Sequence, residues 1–294
     1  MAIQDKLSAV CGNISQTLAS LLKIVLLSRR PTVRKTAGNE EIVILGNGPS
    51  LNQTVAESMP FLASRKKLAV NFAANTPLFL ELKPEYYVLA DPHFFQASDN
   101  ENVKKLWDTF LTKVDWEMTL FVPTRIKSPH LDRLKQNSHI TVNRYNTTPI
   151  EGFKAFRNAV YRMGLGMPRP RNVLIPSIML ALNAGFRTVY VAGADHSWMK
   201  TLSVNDRNQV VSIQPHFYKD NEKETARVNT EYMNYPLHQI IYSFYVAFKS
   251  YYVIRDYAAS IGATVWNITP ESFIDAFPRK KVGSSSNLVV LLLL

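Results

Sequence analysis

Residues 40–51 read EEIVILGNGPSL, and no other stretch restricts the fold as strongly. Four β-forming residues, Ile42, Val43, Ile44 and Leu45, run without a polar break into Gly46-Asn47-Gly48-Pro49-Ser50. An unbroken apolar run closed by glycine and proline predicts a strand buried on both faces, as in a parallel sheet. Glycine has no Cβ, so backbone amides in such a turn can approach a ligand closely. Ser50 or Asn52 is placed to cap a helix beginning near Gln53. Strand, glycine turn and helix N-terminus together make a phosphate-binding corner. An ordinary tight turn between strand and helix has the same spacing. The run is neither GxGxxG nor a P-loop, since no lysine follows the second glycine.

With 294 residues, 46% of them hydrophobic and 19% charged, the chain can bury a sizeable core in one large domain or two small ones. Its single cysteine excludes an internal disulfide and every cysteine-based zinc pattern, and its six histidines include no HExxH. No metal is expected. The formal charge of +11 raises nucleic acid as a partner. The basic residues gather near the ends, however, at Lys6, Lys23, Arg29, Arg30, Arg34 and Lys35, and again at Arg279, Lys280 and Lys281. No nucleic-acid motif accompanies them, so an anionic membrane surface fits this distribution better than nucleic acid.

Residues 1–37 read as an appendage in which Leu7, Val10, Cys11, Ile14, Leu18, Leu21, Leu22, Val25 and Leu26 recur at helical spacing. The apolar run is interrupted by Lys23 and is expected to be too short to span a bilayer. With no basic n-region and no small-residue cleavage site, it is not expected to be a secretory signal. Residues 7–27 are expected to lie on the inner membrane surface, with packing on the domain or on a second subunit of a homo-oligomer as the alternative.

From residue 40 the pattern alternates between strands and helices. Strands are expected at 42–45, 67–72, 86–90, 119–122, 187–192 and 264–267, and helices at 102–111, 175–184 and 242–261. Residues 124–170 look less regular, residues 199–236 read as a polar lid, and residues 282–294 as a flexible apolar tail without assigned function. The order predicts an α/β domain over residues 38–281, a Rossmann-like, doubly wound and mainly parallel sheet. In such sheets ligands bind beyond the carboxyl ends of the strands. Those ends hold Asn47, Ser50, Asn71, Asn75, Asp91, His93, Asp195, His196 and Ser197, a set suited to reading a sugar or base.

The succession LGNGPSL, VNFAAN, LADPHFF and GFRTVYVAGADHSW resembles the bacterial sialyltransferases of glycosyltransferase family 42. It is also similar to the family-115 domains of unknown function, which include 6-hydroxymethylpterin diphosphokinase-like proteins. The likeness covers roughly residues 40–277, and NGPSL is its most specific part. It implies a GT-A-like single nucleotide-binding domain with a lid and an N-terminal amphipathic helix. It further implies donor contacts from Asn47, Gly48, Pro49, Ser50 and Asn71, with Asp91 and His93 at the donor too; the strand-end residues Asp195 and Ser197 join this set. The family's catalytic base is a histidine ahead of the last long helix, a place for which His238 and His216 compete, with His196 a third candidate. A neutral imidazole can take the proton of an acceptor hydroxyl in an inverting transfer. Arg169, Arg171 and Tyr218 are candidates to receive the leaving phosphate.

The function expected is a peripheral glycosyltransferase on the cytoplasmic face of a bacterial inner membrane. It would use no cofactor or metal and move a sialic-acid-like sugar from a CMP-linked donor to a cell-surface glycan. One alternative is a Mg²⁺-dependent pyrophosphokinase with Asp91 and Asp195 as ligands. The other is a membrane-bound scaffold without activity.

Overall fold

The computed structural model describes residues 3–33, 35, 38, 40–96, 100–212 and 232–283. Seven strands form one sheet: β1 (Glu41–Leu45), β2 (Lys66–Val70), β3 (Tyr86–Val88), β4 (Met118–Pro123), β5 (Ile140–Tyr145), β6 (Thr188–Ala192) and β9 (Thr264–Asn267). Their order across the sheet is β5-β4-β3-β2-β1-β6-β9, and every neighbouring pair is parallel. The doubly wound α/β architecture is therefore as the sequence predicts. Progress along the chain runs outward from β1 to β5, then returns to the far side of β1 for β6 and β9. The sheet thus changes direction between β1 and β6.

The unbroken apolar composition of β1 has a direct cause. Ile42 and Ile44 point into a core shared with α7 (Leu174–Ala184) and α8 (Leu237–Ser260), while Val43 and Leu45 point into a second core beside α2 (Ser50–Ala63). With helices on both faces, every position of β1 after Glu41 is buried, and alternation disappears. The helix α7 is buried along nearly its whole length and closes on Gly185, whose φ of 112° favours glycine. The helices α3 (Pro77–Leu82) and α4 (Glu101–Thr112) border the same side of the sheet as α2.

Several expectations need correction. The second strand stops at Val70, because Asn71 takes a left-handed φ of 51° and opens a 3₁₀ turn, Asn71–Asn75. The third strand ends at Val88. The supposedly irregular residues 124–170 contain α5 (Pro129–Leu134), β5 and α6 (Lys154–Arg162). The segment at 199–236 is not wholly loop. It includes a short antiparallel pair, β7 (Ser203–Val204) and β8 (Val210–Val211), and Val210 packs with Ile240 and Phe244 of α8. Residues 213–231 of the expected lid, and the tail from 284 onward, lie outside the described residues.

The N-terminal helix α1 (Ile3–Leu27) is one uninterrupted element, and Asp5–Leu27 is long and apolar enough to cross a membrane by length and composition. The expectation of a run too short to span is overturned on that criterion, since one lysine does not lower the mean hydropathy enough. Beyond α1 the chain runs along the edge strand β5, where the Thr32 amide donates to Arg144 O at 3.0 Å and the Arg144 amide to Thr32 Oγ1 at 2.6 Å. An edge that would otherwise expose unpaired backbone groups is covered in this way.

Candidate functional site

The sheet changes direction between β1 and β6, and in sheets of this kind the ligand crevice lies beyond the carboxyl ends of the strands at such a point. The turns leaving the two strands touch backbone to backbone. The Gly46 amide donates to Ala192 O and the Gly48 amide to Gly193 O, each at 2.8 Å. A Cβ on Gly46 would stand 2.4 Å from Gly193 O, and one on Gly193 would stand 2.6 Å from Gly46 O, so neither position admits a side chain.

The segment after β6 is clamped from the β9 side. Thr269 Oγ1 accepts from the Ala194 amide at 3.1 Å, Ser272 Oγ donates to Ala194 O at 2.6 Å, and the Phe273 amide donates to Asp195 O at 2.9 Å. Held there, Asp195 turns its carboxylate onto the N-terminus of α2. The Ser50 hydroxyl donates to Oδ2 at 2.7 Å and the Ser50 amide approaches Oδ1 at 3.3 Å. The helix has no cap of its own, because Pro49 occupies the capping position without a side-chain acceptor. Ser50 and Asn52 were the expected caps, and the cap instead comes from a residue far along the chain. The second glycine of the turn follows from the same contact, since a Cβ at Gly48 would lie 1.8 Å from Asp195 Oδ2. The positive end of the helix dipole is therefore already matched by an internal carboxylate, and the phosphate-binding corner expected there is filled.

Asn47 sits between these turns, and both atoms of its side-chain amide are buried without a hydrogen-bond partner among the described residues. Buried polar atoms are nearly always paired, so two orphaned atoms on one residue ask for an occupant. Next along the sheet, the 3₁₀ turn after β2 is held by the buried Tyr87, whose hydroxyl donates to Asn71 O at 2.6 Å and accepts from the Ala74 amide at 2.9 Å. Asn75 donates to Asn102 O at 2.9 Å, while its own Oδ1 is buried and unpartnered among the described residues. At the end of β3, Asp91 accepts from the His93 amide at 3.0 Å. His93 Nδ1 lies 2.9 Å from the same carboxylate, but both ring nitrogens are buried and neither makes a well-aligned hydrogen bond. The His93 ring packs on Phe94 and Phe72, with centroids 4.0 and 5.8 Å away.

The three histidines proposed as bases have different fates. His196 is buried in a left-handed conformation with φ of 51°, and its Nε2 is 2.5 Å from the hydroxyl of Tyr251. Tyr251 in turn donates to Asn172 Oδ1 at 3.0 Å, and that oxygen accepts from the Leu174 and Ile175 amides at the start of α7. Burial pushes the His196 pKa down to about 3. The ring stays neutral near pH 7 and is a poor place to deposit a proton. His238 is exposed in the first turn of α8. His216 lies outside the described residues, as does Tyr218.

The arginines divide likewise. Arg169 holds Glu151 with a two-pronged ion pair at 3.0 and 2.7 Å, which lowers the Glu151 pKa and raises its own, so its guanidinium fork is taken. Arg171 is exposed. Ser197 is half-buried and opens the 3₁₀ turn Ser197–Lys200. The structure thus brings Gly48 and Ser50 into contact with Asp195 beside Asn47, with Asn71 and the Asp91–His93 pair at the ends of successive strands. It turns His196 toward α8 and Arg169 toward Glu151. Asn172 and Tyr251 were not anticipated; the only local signal was an asparagine two residues before an apolar helix. Among the described residues, no three histidine, cysteine, aspartate or glutamate side chains gather as they would around a metal. A cavity of about 150 Å³, lined in part by Pro31, Val33, Tyr145, Arg162, Met163 and Met179, lies beside β5 and apart from Asn47.

No protein-family model and no curated protein matches the chain. Among solved structures, it is similar to the MAf glycosyltransferase from Magnetospirillum magneticum AMB-1, at 12% identity and a TM-score of 0.49 over 92% of this chain and 38% of that one. It is also similar to a mammalian sialyltransferase, at 12% identity and a TM-score of 0.30 over 73% of this chain and 74% of that one. The chain spans 38% of the length of the first. Neither likeness carries an argument about what this chain does.

Proposed function

We propose that the chain is a glycosyltransferase that moves a sialic-acid-like sugar from a CMP-linked donor to a glycan acceptor, with inversion and without a metal. It would work at the cytoplasmic face of a bacterial inner membrane. The observation that carries the proposal is the orphaned amide of Asn47 in the crevice between β1 and β6, within the NGPS turn. A neutral amide offers one donor and one acceptor edge, which suits the base or sugar of a nucleotide sugar. Asn71, Ser197, Asp91 and His93 would border the same ligand.

In the transfer, an acceptor hydroxyl attacks the anomeric carbon on the face opposite the nucleotide. The bond from that carbon to the phosphate oxygen breaks, and CMP departs with the electron pair. The hydroxyl proton passes to a histidine base, for which His238 is preferred, being accessible where His196 is not. His216 and Tyr218 keep their proposed roles as alternative base and phosphate donor. Arg171 is the better phosphate partner, because Arg169 is held by Glu151. The pyrophosphokinase alternative would need Asp195 as a metal ligand, yet both of its oxygens serve Ser50.

Thermal stabilisation by CMP, CDP, UDP and ATP, each with and without Mg²⁺, tests the proposal. A ligand at one hundred times its Kd adds about 2.7 kcal/mol of stability. CMP or CDP should raise the melting temperature regardless of EDTA, Asn47→Ala should abolish that rise, and His238→Ala should keep it while losing transfer. Stabilisation by ATP only with Mg²⁺ would hand the site to a pyrophosphokinase, and a flat panel would leave the scaffold.

A further inference from the structure

We infer that the outer face of α1, joined to the exposed start of α8, docks on an anionic lipid bilayer and turns the crevice edge of the sheet toward it. The helix is inside out for a water-facing element. Ser8 and Ser15 are exposed, but the hydroxyls nearer its C-terminal end point inward: Ser20 is wholly buried, donating to Glu151 O at 3.0 Å and accepting from the Glu151 amide at 2.9 Å. Thr17 accepts from the Phe153 amide at 3.2 Å, and Ser28 donates to Leu165 O at 2.6 Å. Its leucines and valines point outward, with Leu7 65%, Leu18 61%, Leu22 60% and Val25 76% exposed. An apolar stripe of this length on the outside marks a surface that meets something apolar.

The helix lies along that apolar phase and does not cross it. The hydrogen bonds above hold residues 17–28 to the domain, and that part of the chain would have to break them to leave the domain for the hydrocarbon.

Two observations choose lipid over a second copy of the chain. The stripe is rimmed by exposed Arg29, Arg30 and Arg125 and by Lys23 and Lys249, and the latter two both help lower the pKa of Glu151. In a two-fold dimer this cationic rim would face itself, whereas an anionic leaflet complements it. Phe153, whose amide meets Thr17, is exposed as well, and so are Tyr242 and Tyr245 of α8, which neighbour the Arg169 and Lys249 that act on Glu151 and whose rings stack with centroids 6.2 Å apart. Tyrosine, with an apolar body and a polar tip, favours the membrane–water boundary.

The orientation follows from where α1 is fastened. Arg125, just beyond β4, donates to Leu26 O and Leu27 O, and Asn146, just beyond β5, is bound to Arg29. These are carboxyl ends of strands, the same edge that holds the crevice. Resting on the proposed transfer, the acceptor is then a hydroxyl of a lipid-anchored glycan.

The test is flotation of the full chain with vesicles of phosphatidylglycerol mixed with phosphatidylcholine, against pure phosphatidylcholine. The protein should float with the anionic vesicles, less so as salt rises. The Leu18→Glu/Leu22→Glu/Val25→Glu variant should lose about tenfold or more of that partition with an unchanged melting temperature. Arg30→Glu should weaken binding to anionic vesicles alone. Wild-type protein that stays unbound, variants that float as well as it does, or a dimer broken by the triple variant without vesicle uptake would each overturn the docking. Flotation needs no donor, so it stands or falls separately from the transfer reaction.

Discussion

Asp195 gives two neighbouring residues their reason to be what they are. Its carboxylate needs a hydroxyl at Ser50 and needs nothing at the α-carbon of Gly48. Gly48→Ala should therefore destabilise the chain by about 2–3 kcal/mol in urea unfolding, through forced displacement of the carboxylate. Ser50→Ala and Asp195→Asn should each cost about 1–2 kcal/mol, and their double-mutant cycle should show coupling of at least about 0.5 kcal/mol; strict additivity would mean the contact contributes nothing. His196 predicts a pH dependence. Its folded pKa of about 3 lies below the ordinary value of 6.5, so between those limits the unfolded chain binds the extra proton. Stability should fall on acidification from about pH 6.5 toward 3, this residue contributing a slope of up to about 1.4 kcal/mol per pH unit. His196→Asn, which tolerates the left-handed backbone, should flatten that slope, measured as urea midpoints from pH 4 to 7. An equal slope in the variant would mean that other groups carry the acid sensitivity.

At the level of elements, the strongest periodicities proved the most legible. The strands at β1, β6 and β9, the buried helix α7 and its glycine stop all lie where apolar runs and punctuation put them. The strand β5 was missed because it borders the sheet: only Ile140 and Tyr145 at its ends are buried, so ITVNRY shows neither an apolar run nor alternation. The helix α1 was recognised from its spacing, but not which face it buries. Ser20→Ala should cost about 1–2 kcal/mol by leaving the Glu151 amide and carbonyl unpaired in the buried seam. Gly152→Ala should cost at least as much, because a Cβ there would meet Thr17 Oγ1 at 2.1 Å and the backbone φ is 108°. Loss of α1 docking should show as exchange of the amide protons of residues 17–28 in hydrogen-exchange measurements; protection equal to wild type in Gly152→Ala would contradict this account.

For the whole molecule, the sequence by itself determined the class of fold. Apolar runs ending in glycine, separated by helical periodicity, leave a parallel sheet covered on both faces as the economical solution, because each signal is local and needs no distant partner. It also showed the run of asparagine, aspartate and serine at the strand ends, where a ligand is proposed. Only the tertiary structure decided which of those residues are spoken for. Ser50 meets a carboxylate 145 positions away, His196 meets Tyr251 across 55, and Arg169 meets Glu151 across a turn of chain that no periodicity predicts. Asn47 is left over once those pairings are made, and α1 is left with its apolar face outward once Thr17 and Ser20 have found their backbone partners. Local pattern specifies elements because propensity acts over a few residues, while which polar groups remain unpaired is settled only when long-range contacts bring their competitors together.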